Sequence, residues 1–144
     1  MGAASIARGS ERTSVRRRLA VIADDLHDAR EILAAVLQRA GFDVVEASDG
    51  RALLAAIEEL GRQRRTLDVI IADIDMPGID GIEAARQARQ LAPAVPIVLI
   101  TGLRDEKTVA RASVVGARAI MQRPFDPAEL VALLDELIAP VMAT

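Results

Sequence analysis

A chain of 144 residues, 51% hydrophobic and 27% charged, has the size of one ordinary domain and can bury a substantial core. It has no cysteine and one histidine, His27, which excludes disulfides, thiolate chemistry and multi-histidine zinc sites. The net charge of −3 is uneven, because residues 1–18 carry five arginines (Arg8, Arg12, Arg16, Arg17, Arg18) against Glu11. With two Phe and no Tyr or Trp, the core falls to Val, Ile, Leu and Ala, and the scarcity argues against base stacking on aromatic platforms. No apolar run nears the roughly 20 residues that cross a bilayer, and no signal-peptide core is present, so a cytoplasmic protein without membrane contact is expected.

Residues 1–17 read as a flexible basic leader, since no apolar face accompanies the charge. Short apolar runs then alternate with amphipathic stretches. Leu19–Ala23 has the length of a strand, and Ala29, Ile32, Leu33, Val36, Leu37 and Ala40 follow at helical spacing, stopped by Gly41. Asp43–Ala47 is a more polar strand, suited to a sheet edge. Ser48 is expected to cap a helix striped by Leu53, Ala56, Ile57 and Leu60, with Gly61 as its end. Val69–Ala72 is a buried strand, and Asp80 with Glu83 resembles a capping box for a helix to about Leu91. Ile97–Ile100 is the fourth strand, and a weaker helical segment covers Asp105–Val115. Ala119–Met121 is the fifth strand, and Asp126, Pro127 and Glu129 open a last helix ended by Pro140. Strands alternating with helices imply an α/β fold with a doubly wound parallel sheet covered on both faces.

In such folds chemistry sits beyond the carboxyl ends of the strands. Asp24 and Asp25 follow the first strand, Asp73 and Asp75 the third, Thr101 and Gly102 the fourth, and Arg123 the fifth. Carboxylates placed together repel unless a cation joins them, and hard oxygen donors suit Mg²⁺ or Mn²⁺. A hydroxyl and a fixed cation, Thr101 and Arg123, complete a set suited to forming an acyl phosphate on an aspartate. Plainer roles exist for each: Asp24, Asp25 or Thr101 as helix caps, Arg123 as a solvated cation, Gly78 and Gly81 as turn residues, His27 as an exposed side chain.

Asp24-Asp25, Asp73-Ile-Asp-Met-Pro-Gly-Ile-Asp-Gly81, Thr101-Gly102 and Arg123-Pro124-Phe125 together resemble the receiver domains of bacterial two-component systems over roughly residues 18–139. The resemblance implies a flavodoxin-like sheet of order 2-1-3-4-5 with five helices, and a tail at 140–144. It implies Asp73 as phosphoacceptor, with Asp25, Asp73 and the main-chain carbonyl of Asp75 on the metal and Asp24 acting largely through water. Thr101 would report the phosphoryl group, and the Arg123–Pro124 bond would be cis. The only chemistry implied is the chain's own phosphorylation and dephosphorylation.

Two positions depart from the family pattern: Arg123 stands where lysine is usual, and Ile120 where Tyr or Phe is usual. The Asp75 side chain, beside the acceptor, is expected to influence phosphate lifetime or metal affinity. The donor would be a histidine kinase or a histidine phosphotransfer protein. Output by a stand-alone regulator would pass to an unknown downstream protein without direct nucleic-acid contact. Dimerisation through the face of the fourth helix, fifth strand and fifth helix is a further expectation. Two other functions fit parts of the pattern: a pseudo-receiver with phosphate-independent output, favoured by Arg123 and Ile120, and a haloacid-dehalogenase-type phosphatase, suggested by Asp73-Ile-Asp75.

Overall fold

The computed structural model describes residues 16–138; the rest of the expected leader and tail, with Pro140, lies outside the described residues. The elements in chain order are β1 (Arg18–Ala23), α1 (His27–Arg39), β2 (Phe42–Ala47), α2 (Gly50–Arg62) and β3 (Val69–Asp73). They continue with α3 (Gly81–Leu91), β4 (Ile97–Thr101), α4 (Glu106–Val114), β5 (Ala119–Gln122) and α5 (Pro127–Leu137). All pairings are parallel and the order is β2-β1-β3-β4-β5, as expected from the sequence. β1, β3 and β4, whose runs are continuously apolar, occupy the centre, and the polar β2 lies at an edge.

Alternation along the strands divides the core between two faces. Ala20, Ile22, Val69, Ile71, Val98 and Ile100 pack with Leu33 and Leu37 of α1 and Leu130 and Leu134 of α5. Leu19, Val21, Ile70, Ala72, Ile97 and Leu99 pack with Leu53 and Ile57 of α2, Ala84 and Ala88 of α3, and Ala112 of α4. β5 is only half-buried, and Ile120 lies partly buried against the α2–α4 side.

The helix ends correct the expectations in detail. α2 is capped by Asp49, not Ser48, through an Asp49 carboxylate that accepts from the Ala52 N–H at 2.8 Å. Gly61 does not end α2, which runs on to Arg62 with Gln63 as its C-cap. Asp80 caps α3, but the Glu83 carboxylate accepts from Arg86 and Gln87 instead of reaching back, so only half the box forms. The box at Asp126 and Glu129 is complete. α4 takes its cap from Asp105, which leaves Thr101 free of that role.

The leader expectation stops short of Arg16 and Arg17, which are docked at the amino-terminal edge of the sheet. Arg16 forks onto the Asp68 carboxylate with two bonds of 2.8 Å. Arg17 donates to Asp43 at 2.9 Å and Arg18 to Asp135 at 2.7 Å. Successive arginines thus tie β3, β2 and α5 to the start of β1.

Candidate functional site

The winding reverses between β1 and β3, with β2 on one side of β1 and β3 on the other. Register brings the carboxyl ends level: Ala23 lies opposite Ala72, so Asp24 follows beside Asp73, while Asp73 lies opposite Ile100 and Thr101 opposite Gln122. Four loops therefore open on one edge, and Asp24, Asp25 and Asp73 converge, with one carboxylate oxygen from each within 4.8 Å of the others. Asp24 and Asp73 are buried, at 1% and 4% exposure, whereas Asp25 faces solvent.

Two buried carboxylates side by side need compensation. Arg123 supplies it: its guanidinium donates to Asp24 Oδ2 at 2.6 Å and to Asp73 Oδ2 at 3.2 Å. The Arg123–Pro124 bond is cis. The Asp75 N–H donates to Asp73 Oδ1 at 3.0 Å, so both acceptor oxygens are held. Burial pushes the Asp73 carboxyl above its ordinary value; the Asp75 N–H and Arg123 oppose the rise and the Asp24 charge adds to it.

Behind Asp73 the chain makes a tight return. The Gly81 N–H donates to the Ile74 carbonyl at 2.9 Å, and a Cβ on Gly81 would collide with the Asp73 carbonyl oxygen and lie 2.7 Å from Ile74 Cα. Glycine is required there by close approach of two backbones. Gly78, at φ +80°, takes the left-handed turn expected of it.

The remaining sequence candidates are placed as follows. The Thr101 hydroxyl is buried at the edge of the site, but it exchanges bonds of 3.1 Å with the N–H and carbonyl of Leu103, holding the β4–α4 loop. The Asp75 side chain is exposed. His27 is exposed and pairs with Glu31 at 3.3 Å. Neither Asp24 nor Asp25 is the α1 cap residue, a position held by Leu26 without a side-chain bond.

One participant was not singled out from the sequence. Arg30 donates to the main-chain carbonyl of Asp24 at 2.8 Å and to Glu46 of β2 at 2.9 Å. An arginine in the first turns of a helix carries no local mark of such a role, and only the proximity of β1, β2 and α1 reveals it.

Residues 20–135 match the family profile of the response regulator receiver domain. The chain belongs to this receiver family. Among curated relatives it is 33% identical over 125 residues to the DNA-binding transcriptional regulator NtrC of Klebsiella pneumoniae, covering 87% of this chain and 26% of that protein. It is 36% identical over 119 residues to the DNA-binding response regulator MtrA of Mycobacterium tuberculosis H37Rv, covering 83% of this chain and 49% of that protein. Among solved structures, the chemotaxis protein CheY4 of Vibrio cholerae superposes with a TM-score of 0.75 at 29% identity, covering 85% of this chain and 99% of that one.

The receiver thus spans half or less of these curated relatives, both named as DNA-binding. The expectation of no nucleic-acid contact finds no support in them. Membership of the receiver family displaces the dehalogenase-type phosphatase, whose paired aspartates would belong on a first strand. No helix among the described residues is long and apolar enough to cross a membrane.

Proposed function

We propose that this receiver takes a phosphoryl group onto Asp73 from the phosphohistidine of a histidine kinase or phosphotransfer protein. An Asp73 carboxylate oxygen attacks phosphorus, the P–N bond to the donor imidazole breaks, and the imidazole leaves with a proton. Hydrolysis later returns the carboxylate and inorganic phosphate. The carrying observation is the convergence of Asp24, Asp25 and Asp73 oxygens within 4.8 Å at the switch point of the sheet.

This all-oxygen set fits Mg²⁺ or Mn²⁺, held by Asp25, Asp73 and the Asp75 carbonyl, with Asp24 acting through water. Bound there, such an ion would neutralise charge on the phosphoryl oxygens. Arg123, now shared between Asp24 and Asp73, is within reach of the same position, and its planar fork suits two phosphoryl oxygens. Thr101, from β4, would turn its hydroxyl from Leu103 toward the phosphoryl group. Output would pass by protein contact in the cytoplasm, with the α4–β5–α5 face as the surface for a downstream protein or a second copy.

The test is intact-protein mass after incubation with acetyl phosphate, with and without Mg²⁺, beside Asp73→Ala. A metal-dependent single phosphoryl adduct, lost in the variant, is expected. A receiver fold with phosphate-independent output is the alternative, favoured by the Arg123 bridge, which already gives the acids one counter-charge, and by Ile120 in place of an aromatic. Absence of the adduct, with no change in the NMR spectrum on adding beryllium fluoride and Mg²⁺, would refute the acceptor function and favour that alternative.

A further inference from the structure

Every polar atom of Asp24 is engaged. Its N–H donates to the Ala47 carbonyl at 3.1 Å, and its Oδ1 accepts from the Leu26 N–H at 3.0 Å. Its Oδ2 accepts from Arg123 at 2.6 Å, and its carbonyl accepts from Arg30 Nη1 at 2.8 Å. The last bond directs the peptide joining Asp24 to Asp25, and therefore the direction in which both carboxylates leave the chain.

Arg30 is itself held from several sides. Its side chain is 13% exposed; Nε donates to Glu46 Oε1 at 2.9 Å, and Nη2 lies 3.1 Å from His27 Nδ1, which accepts. With Nδ1 accepting, the His27 Nε2–H is left to face Glu31, at 3.3 Å. An almost buried guanidinium thus braces the end of β1 against β2 and α1, with each nitrogen in use. Such a cation is costly to bury unless fully hydrogen-bonded, and here one of its bonds goes to the backbone of the acidic site.

We infer that Arg30 is a positioning residue of the acidic site, holding the Asp24–Asp25 peptide so that both carboxylates converge on Asp73. The inference rests on the phosphoacceptor function proposed above. Two effects oppose each other when Arg30 is removed. Loss of a nearby positive charge favours a divalent cation, whereas loss of an outer support of its ligands typically weakens binding by about 10–100-fold. Positioning dominates, because a metal needs its donors together and the Arg30 charge is already paired with Glu46 at 2.9 Å.

Mn²⁺ binding by titration calorimetry, and hydrogen exchange without metal at the Asp24 and Leu26 amides, whose bonds go to Ala47 and to Asp24 Oδ1, decide it for Arg30→Met, Arg30→Lys and Glu46→Gln. Arg30→Met is expected to weaken Mn²⁺ by about tenfold or more and to speed amide exchange at Asp24 and Leu26. Arg30→Lys keeps the charge but not the fork, and should fall between it and wild type. Glu46→Gln leaves the bond to Asp24 and should change affinity by less than about threefold, reporting separately on loss of the ion pair. Tighter or unchanged Mn²⁺ binding in Arg30→Met, with exchange unchanged, would overturn the assignment. If wild type takes up no Mn²⁺ and no phosphoryl adduct, the phosphoacceptor function fails, while the exchange measurement still decides whether Arg30 positions the loop.

Discussion

Replacing Arg123 by methionine keeps much of the side-chain volume and removes the one guanidinium that bridges Asp24 and Asp73. The two carboxylates are 1% and 4% exposed, and each would be left facing the other's charge. Breaking a buried ion pair from one side costs about 3–5 kcal/mol. Arg123 is 32% exposed, so water reaches its outer edge and the cost falls below that range, to about 2–3 kcal/mol. At a urea m-value of about 2 kcal/mol/M, this lowers the unfolding midpoint by about 1–1.5 M, measured at pH 7 with EDTA present. Arg123→Lys, which retains charge but cannot fork between two acids, should lose about 1 kcal/mol. Because the freed carboxylates belong to the proposed cation site, added Mg²⁺ should raise the midpoint more in Arg123→Met than in wild type. A midpoint drop below about 0.3 M in EDTA, or equal Mg²⁺ stabilisation of both proteins, would refute the bridge as the internal counter-charge of the site.

Other changes test the surroundings of the site and the body of the fold. Gly81→Ala places a methyl group against the Asp73 carbonyl and Ile74 backbone, so a loss of about 1–3 kcal/mol is expected, with a lower yield of phosphoryl adduct by mass. Asp49→Ala should cost about 1 kcal/mol by urea unfolding and Ser48→Ala almost nothing, since only Asp49 caps α2. Burial raises the Asp68 carboxyl, but the Arg16 fork and the Leu19 N–H outweigh it and hold the group below its ordinary value. A depressed carboxylate stabilises the fold above its unfolded pKa of about 3.9, and that stabilisation is lost as pH falls through the folded value. Asp68→Asn should therefore lower Tm at pH 7 and show a shallower fall in Tm from pH 5 to 2 than wild type. For Asp73, whose folded value is raised, the sign reverses: stability present below the unfolded pKa is lost as pH rises through the folded one. Asp73→Asn should accordingly gain on wild type as pH rises from 3 to 7 in metal-free thermal melts.

Much of the fold is legible before any coordinate is known. Runs such as Val69–Ala72 and Ile97–Ile100 fit strands buried on both faces, and their alternation with amphipathic helices points to a parallel sheet. The site is legible for a related reason. In a doubly wound sheet the loops after strands share one edge, so Asp24, Asp25, Asp73 and Arg123 converge even though 99 residues separate the first from the last. Their types alone suggest which chemistry they support.

Cap identity shows where local pattern runs out. Ser48 and Asp49 are both favoured capping residues, and the choice fell to Asp49 because the backbone leaving β2 puts its carboxylate over the Ala52 N–H. The capping-box pattern at Asp80 and Glu83 was likewise half overridden, because Arg86 and Gln87 on the next turn offered Glu83 donors of their own.

By itself the sequence determined the order of elements, the two apolar faces of the sheet and the edge on which the acids gather, since each follows from periodicity and chain connectivity. Only the tertiary structure decided which charges pair. Arg123 bridges Asp24 and Asp73, Arg30 turns to the Asp24 carbonyl, and Arg16 and Arg17 leave the leader for Asp68 and Asp43. Eighteen lysines and arginines and 21 acids allow far more pairings than sequence spacing can rank. The selection is made by distance and burial in three dimensions, because Coulomb attraction acts across space and strengthens where water is excluded.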